Sequence, residues 1–480
     1  MLPPLIRRPR RSAPHRERGV TMALVALAIV GIIAMAALSI DIGTLYQASA
    51  EAQRAADAAA LAAARVISMS GLTGDPTNMA TWNLTCNAGG PAGLAAVAAA
   101  QQNAVGGMSV PTGSISVSYS AGSAAVSPGS ADCGGAGAEF PINPVVTVVV
   151  QQTKLPTFFA HVFGIFNKNW NAVTASATAT AEAFNSSNAG SYGVQPRCVK
   201  PWMVPNNDPL NTGLPFINTG SNGAIEHTGI SPAGVIGESF WLVPDCSPGA
   251  TCVLISTTPQ ANPGGGPSPS LQYVPGQVPP LGSATAIPSS KTGACSAISG
   301  SAYAEAIAGC DQSTQYQCGM TGLNTVDLNE NPVSTNDTSN GAQCLIHQEA
   351  DSASDVLSIA SVTGQDTLDP FPTLPATYPF QIQAGTDNPL TNAGLTGGTV
   401  ITSSTSIVSV PIYNSPPPGT VIAPPTTPVT IVGFLQVFIN FVDNLGNVYV
   451  TVMNVTGCGN APSTVLQGTS PVPVRLITAP

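Results

Sequence analysis

Residues Gly19 to Ile40, GVTMALVALAIVGIIAMAALSI, form an apolar run without a charge. At 1.5 Å rise per residue such a helix is about 33 Å long, against a bilayer core of about 30 Å. The pattern predicts one transmembrane helix over 19–40, following a basic tail over 1–18. Two other readings share the run: a cleaved signal peptide, with Ala34-Met35-Ala36 as the site, and a buried core helix. The asymmetric flanking charges argue against the core helix. Residues 41–68, DIGTLYQASAEAQRAADAAALAAARVIS, contain strong helix formers and no proline, so the helix should continue outward as one rod. Its larger apolar groups, Leu45, Tyr46 and Leu61, are sparse, so its packing partner must accept a mostly Ala face.

A second helix is expected over Ala92–Val105, stopped by Gly106-Gly107. Strand signals follow at Ser114–Tyr119, at Val145–Val150 and at Ala172–Ala183, the second continuous enough to be covered on both faces. A short amphipathic segment is expected over Thr153–Gly164. Asn185–Gly190 reads as a polar linker. Residues 191–257 hold one apolar patch, Phe240–Val243. Residues 258–290 are dominated by Pro, Gly and Ser and read as a linker or surface loop. Residues 291–480 form a Cys-containing, β-rich region. It has a helix at Ser301–Ala308, Asn- and Asp-rich turns after it, and strands in Val400–Tyr413. A hairpin is expected from Thr430–Val442, a five-residue loop Asp443–Asn447, and Val448–Val455.

Charge narrows the function classes. Six of the 14 Lys and Arg residues lie in the first 18 positions, and from Asp41 onward 23 acidic residues face 8 basic ones. Nucleic-acid binding by the body is excluded, since phosphate contacts need cations. The arginines before the apolar run and Asp41 and Glu51 after it place the N-terminus in the cytoplasm and the body outside. Charged residues are only 8% of the chain, so Ser, Thr, Asn and Gln must make its surface polar. The ten Cys include no C-x-x-C; an even number outside the membrane points to disulfides. Sequence leaves the pairing open, with Cys86–Cys133, Cys246–Cys252 and Cys310–Cys318 as candidates.

No catalytic constellation is visible. His15, His161, His227 and His347 have no metal-ligand spacing, and there is no G-x-S-x-G, Walker A loop or dinucleotide fingerprint. Gly264–Gly266 are linker glycines. Asp327–Pro332 begins like a calcium loop, but its sixth position is Pro332 rather than Gly. No cofactor and no metal are expected, and the reading is non-enzymatic.

The order Arg18-Gly19, apolar span, Asp41, Gly43, Leu45, Tyr46, then Gln53, Ala56, Asp57 and Leu61 resembles the N-terminus of TadE/TadG-like proteins of the Flp (tight-adherence) pilus-assembly machinery. The segment VVVQQTKLPTFFAHVFG and the later VTASATA also resemble that family, as do VPIYN (410–414) and VGFLQVFI (432–439). Type IV pilin-like proteins carry a Glu five residues after the processed Gly; here Leu24 stands there, so the anchor is read as uncleaved. Many TadG-like proteins carry a D-x-S-x-S metal site. Asp351-Ser352-Ala353-Ser354-Asp355 is out of phase with it and is rejected. The resemblance implies an α+β fold, with a pilin-like unit over 41–185 in which the long helix lies on a small antiparallel sheet. A disulfide-stapled, β-rich extracytoplasmic region follows. It also implies an inner-membrane component that assembles or anchors a Flp pilus. Its partners would be the bilayer and pilus-assembly proteins, a pilin or another copy of the chain. The small faces Gly31, Ala34, Ala37, Ala55, Ala58, Ala59 and Ala62 would allow close helix approach. A surface structural protein or adhesin unrelated to pili is the alternative.

Overall fold

Helix α1 runs unbroken from Glu17 to Met69, as its Ala-rich, proline-free sequence requires. The computed structural model describes residues 17–74, 82–87, 89–122, 129–155, 173–189, 193–211, 213–220, 223–244, 251–252, 261–262, 267–278, 280–288, 293–312, 316–318, 325–326, 333–349, 362–369, 380–414, 429–458 and 465–477. In the second half of α1, Ala48, Ala52, Ala55, Ala56, Ala59, Ala63 and Ile67 are buried. Their three- and four-residue spacing makes one stripe. Against it lie helix α2 (Pro91–Gln101) and an antiparallel sheet. The sheet consists of β3 (Ile115–Ala121), β4 (Pro144–Leu155) and β5 (Val173–Ala183). Val146 and Val148 of β4 and Ala175, Ala177, Ala179 and Ala181 of β5 share the core with the α1 alanines. Methyl groups on both sides let the helix approach the sheet closely.

Helix α2 stops earlier than the sequence suggests, because Ala104–Val105 (β1) and Met108–Ser109 (β2) form a hairpin. Gly106 and Gly107 take φ of +61° and +77°, which glycine adopts without steric cost. A Cβ on Gly106 would stand 2.5 Å from Leu155.

The second unit is built around a closed sheet. Strands β6 (Trp202–Pro205), β7 (Ser239–Pro244), β8 (Ser270–Pro275), β9 (Ile407–Tyr413), β10 (Val429–Val442) and β11 (Val448–Gly457) pair in the order β10-β9-β6-β8-β7-β11. β11 then pairs back onto β10. Closure removes the open edges of a sheet. The β9–β6 and β7–β8 contacts are parallel and the others antiparallel. Alternate residues pack together: Trp202 with Val204, Phe240 with Leu242 and Leu271 with Tyr273 join the main core, while Met203 and Val274 join another. Helices α3 (Ala302–Ala308) and α4 (Thr335–Ile346) pack on each other beside the barrel.

Several boundaries differ from the sequence reading. The 258–290 segment is not all linker, since Ser270–Pro275 is a barrel strand with Leu271, Tyr273 and Val274 buried. Its few large residues are framed by Pro, Gly and Ser, which hide it. The turns expected after residue 308 include α4, whose first turn is held by Ser334 N donating to the Asp337 carboxylate at 3.4 Å. The first sheet is completed from the far end of the chain. Val474–Ile477 (β12) pairs antiparallel with Thr180–Ala183 of β5, and Arg475 Nε forms an ion pair with Glu182. The pilin-like sheet therefore does not end at residue 185.

Disulfides join Cys86–Cys133, Cys198–Cys310, Cys295–Cys344 and Cys318–Cys458. The expected pair Cys310–Cys318 is not formed. Cys310 follows α3 and lies 4.2 Å, Cα to Cα, from Cys198. The Cys318 backbone bridges Val194, which brings it to Cys458 at the end of β11. Cys246 lies outside the described residues, and the Cys246–Cys252 expectation with it. So do His15, His161, Gly264–Gly266, Asp327–Pro332, Asp351–Asp355 and all but the first three residues of the expected amphipathic segment.

Candidate functional site

The candidate site is the passage from the exposed part of α1 into the folded body. From Thr21 to Ile40 nearly every position is solvent-exposed, including Leu27 at 70%, Val30 at 64% and Met35 at 66%. No described part of the body covers this stretch. Twenty residues at 1.5 Å rise give about 30 Å, the thickness of a bilayer core. Among the described residues α1 is the one helix long and apolar enough to cross a membrane.

At the exit, Asp41 is buried at 3% exposure and its carbonyl accepts from Thr44 Oγ1 at 2.8 Å. Gly43 faces open space and Tyr46 is 76% exposed, while Leu45 packs partly against the core. About three turns beyond Asp41, Glu51 braces the helix. Its Oε2 accepts from Gly106 N at 2.7 Å and its Oε1 from Gln47 Nε2 at 2.9 Å. The bonds from Gln47 and then Gly106 hold its carboxyl below the ordinary range. Sequence reasoning assigned Glu51 only a place in the charge asymmetry. The glycine pair that meets it read merely as a helix stop.

Gln53 and Asp57 form an i,i+4 pair at 2.8 Å, and Gln53 Nε2 also reaches Thr178 O of β5 at 3.2 Å. Ala56 is wholly buried and Leu61 partly so. The motif residues thus do not converge on a chemical centre. They mark successive levels of one helix: exit, brace and core. Ala55 and Ala59, read as faces for a partner helix, are fully buried in the chain's own core, whereas Gly31 and Ala34 stay exposed.

The base of the helix is fastened to the barrel by a buried polar seam. Asn454 Nδ2 of β11 donates to Ser68 O at 2.7 Å and to Thr73 Oγ1 at 3.1 Å. Asn185 Nδ2 donates to Thr73 Oγ1 at 3.1 Å and Val455 O at 3.0 Å, and its Oδ1 accepts from Thr456 Oγ1 at 2.8 Å. Asn185 and Ser186, read as linker, are fully buried here. Short polar side chains serve a loop and a seam equally well, and only burial separates the two.

Two perturbed groups elsewhere are held by buried hydrogen bonds. Asn211 Nδ2 donates to Asp208 Oδ2 and Glu238 Oε1, both at 3.0 Å. Burial first, then the Asp208 charge, pushes Glu238 up to about 9, so it is neutral at pH 7. Lys200 Nζ donates to Ile307 O and Gly309 O at the end of α3, both at 2.7 Å, and burial lowers its pKa to about 7. Among the described residues no group of three or more His, Cys, Asp and Glu side chains is placed to hold a metal ion.

The Tad family model, described as Flp pilus-assembly TadE/G-like, matches residues 19–66. This is the stretch running from the exposed apolar segment through the buried alanine stripe, and the match agrees with the resemblance drawn from those residues. No curated protein and no solved structure matches the chain.

Proposed function

We propose that this chain is a single-pass membrane-anchored structural component that acts in assembling or anchoring a Flp-type pilus. The observation that supports it is one coincidence. The residues matching the Flp pilus-assembly model are the residues that leave the body as an exposed apolar helix and enter it as core. The arginine-rich start sets the N-terminus in the cytoplasm, with the helix in the inner membrane. The disulfides suit an oxidising space on its far side. The role is structural rather than enzymatic. The helix holds the chain laterally in the bilayer while the body presents surfaces to pilus-assembly proteins, to a pilin or to a second copy. The test is electron microscopy of the native host with and without the gene, counting surface pili. Loss of pili restored by the intact gene is the expected result. Unchanged pili in a host without a paralogue would overturn the proposal.

A further inference from the structure

Beyond Ile40, α1 shows two faces. Asp41 and Ala48 are buried on the side of the body, and Leu45 packs partly against the core. Ile42, at 44% exposure, and Tyr46, at 76%, lie one turn apart on the side that faces away. The 30 positions from Thr21 to Ala50 hold one charge, Asp41, and that one is buried. Glu51 is turned to Gly106 N, and Arg54 is the first exposed charge after the apolar run. The outward face is therefore uncharged over about 45 Å, the thickness of a bilayer with its headgroup layers, about 40–45 Å. It is continuous with the apolar stretch that spans the bilayer core.

Depth follows from the rise per residue. Tyr46 stands six residues past Ile40, about 9 Å along the axis, and one headgroup layer is about 5–8 Å deep. A helical side chain leans toward the N-terminus and covers the turn before its own Cα. The Tyr46 ring thus leans toward the bilayer across Gly43, where a Cβ would meet nothing within 4 Å. That lean brings the ring down to the headgroup layer. Tyr suits this layer, since its ring is apolar and its hydroxyl can stay wet. Ile42, about 3 Å past Ile40, lies below it at the acyl boundary. Gln47 and Ser49 beside them are exposed and polar without charge.

We propose that Ile42 and Tyr46 form an interfacial anchor, with the Tyr46 ring seated among the lipid headgroups on the body's side of the membrane, where it fixes the depth of α1. The proposal rests on the membrane-anchored reading but not on the pilus role. A fixed depth also sets the height of the body. Glu51, which braces the helix on the hairpin at Gly106, stands about 16 Å past Ile40. A ring held at headgroup level therefore keeps that hairpin clear of the acyl chains. A second copy of the chain is the competing occupant of the face, and the test separates the two.

The experiment is photocrosslinking of the full chain in vesicles of phosphatidylethanolamine and phosphatidylglycerol. The photoreactive residue p-benzoylphenylalanine replaces Leu27, Tyr46 or Gln53, one at a time, and products are read by mass spectrometry. All three positions are exposed, so each can accept the larger ring. Lipid adducts are expected from positions 27 and 46 and lost at 53, two turns further on the same face. Adducts at 27 with none at 46 would overturn the proposal and leave the membrane span standing. Absence of adducts at 27 would sink the membrane reading and the proposal with it. Crosslinks from 46 to another chain in place of lipid would give the face to a second copy. Equal lipid yield at 46 and 53 would refute the depth. A second measurement is independent of the crosslinker. The emission that Tyr46→Trp adds to the wild-type spectrum should be quenched by lipid with a doxyl group near the headgroup, and far less by lipid labelled near the acyl end. The reverse order would overturn the proposal as well.

Discussion

Ala59→Leu separates two meanings of the alanine stripe. Ala59 is fully buried between α1 and the elements packed on it. Leu adds three carbons to a core that includes Ala177 and Ala179 of β5, whose side chains are already only methyl groups. Overpacking of this kind costs about 1–3 kcal/mol. Helix propensity contributes little, since Leu is nearly as good a helix former as Ala. For a unit of roughly 150–250 residues each kcal/mol moves the melting temperature by about 2–4 °C. The expected loss is therefore about 2–12 °C, read by the near-ultraviolet circular dichroism of the full chain in micelles. Ala50→Leu on the exposed side of the same helix is the control, and its melting should match the wild type. Had the stripe served a partner helix, Ala59→Leu would melt like the wild type while pilus formation failed. That outcome would refute the packing argument.

Three further outcomes follow from the structure. Glu238 holds its proton in the fold up to about pH 9 but loses it near 4.5 when unfolded, so its contribution is fully present at low pH and falls as pH rises between those values, on the order of 1 kcal/mol per unit. Glu238→Gln should thus gain stability over the wild type from pH 5 to pH 8 in urea titrations, and parallel pH profiles would refute this. Asn454→Ala leaves Ser68 O without its buried donor and should cost about 1–3 kcal/mol, with faster amide exchange around residues 68–74; unchanged exchange there would show that the seam does not fasten the helix base. Cys318→Ser with Cys458→Ser opens a loop spanning 140 positions and should cost about 2–5 kcal/mol, seen as a lower denaturation midpoint that dithiothreitol no longer lowers by that amount.

What the sequence made legible is local. The charge-free run and the Ala-rich stretch specify α1 without help from the rest of the chain. The Asp443–Asn447 turn does the same for the β10–β11 hairpin, where Asp443 accepts from Leu445 N and Asn447 N. Non-local pairing leaves no period to read. Strand β12 joins β5 almost 300 positions away, and Cys198 finds Cys310, 112 positions on, rather than a neighbour. The motif shows the same division. Its residues could be picked out, but an alanine stripe reads alike whether it meets a partner or its own sheet; the alanines of β5 decide, and they lie more than a hundred residues on. This placement changes what the helix can do. Its outer half is part of the core, and its base is bonded through Ser68 and Thr73 to the barrel. In the proposed anchoring role, a pull on the barrel would reach the apolar segment through packed methyl groups and a buried polar seam. The Ser186–Ala189 turn shares the load, its Ser186 hydroxyl donating to Gly457 O at 2.5 Å. If the proposed role holds, an anchor made this way would transmit force where a flexible tether would absorb it.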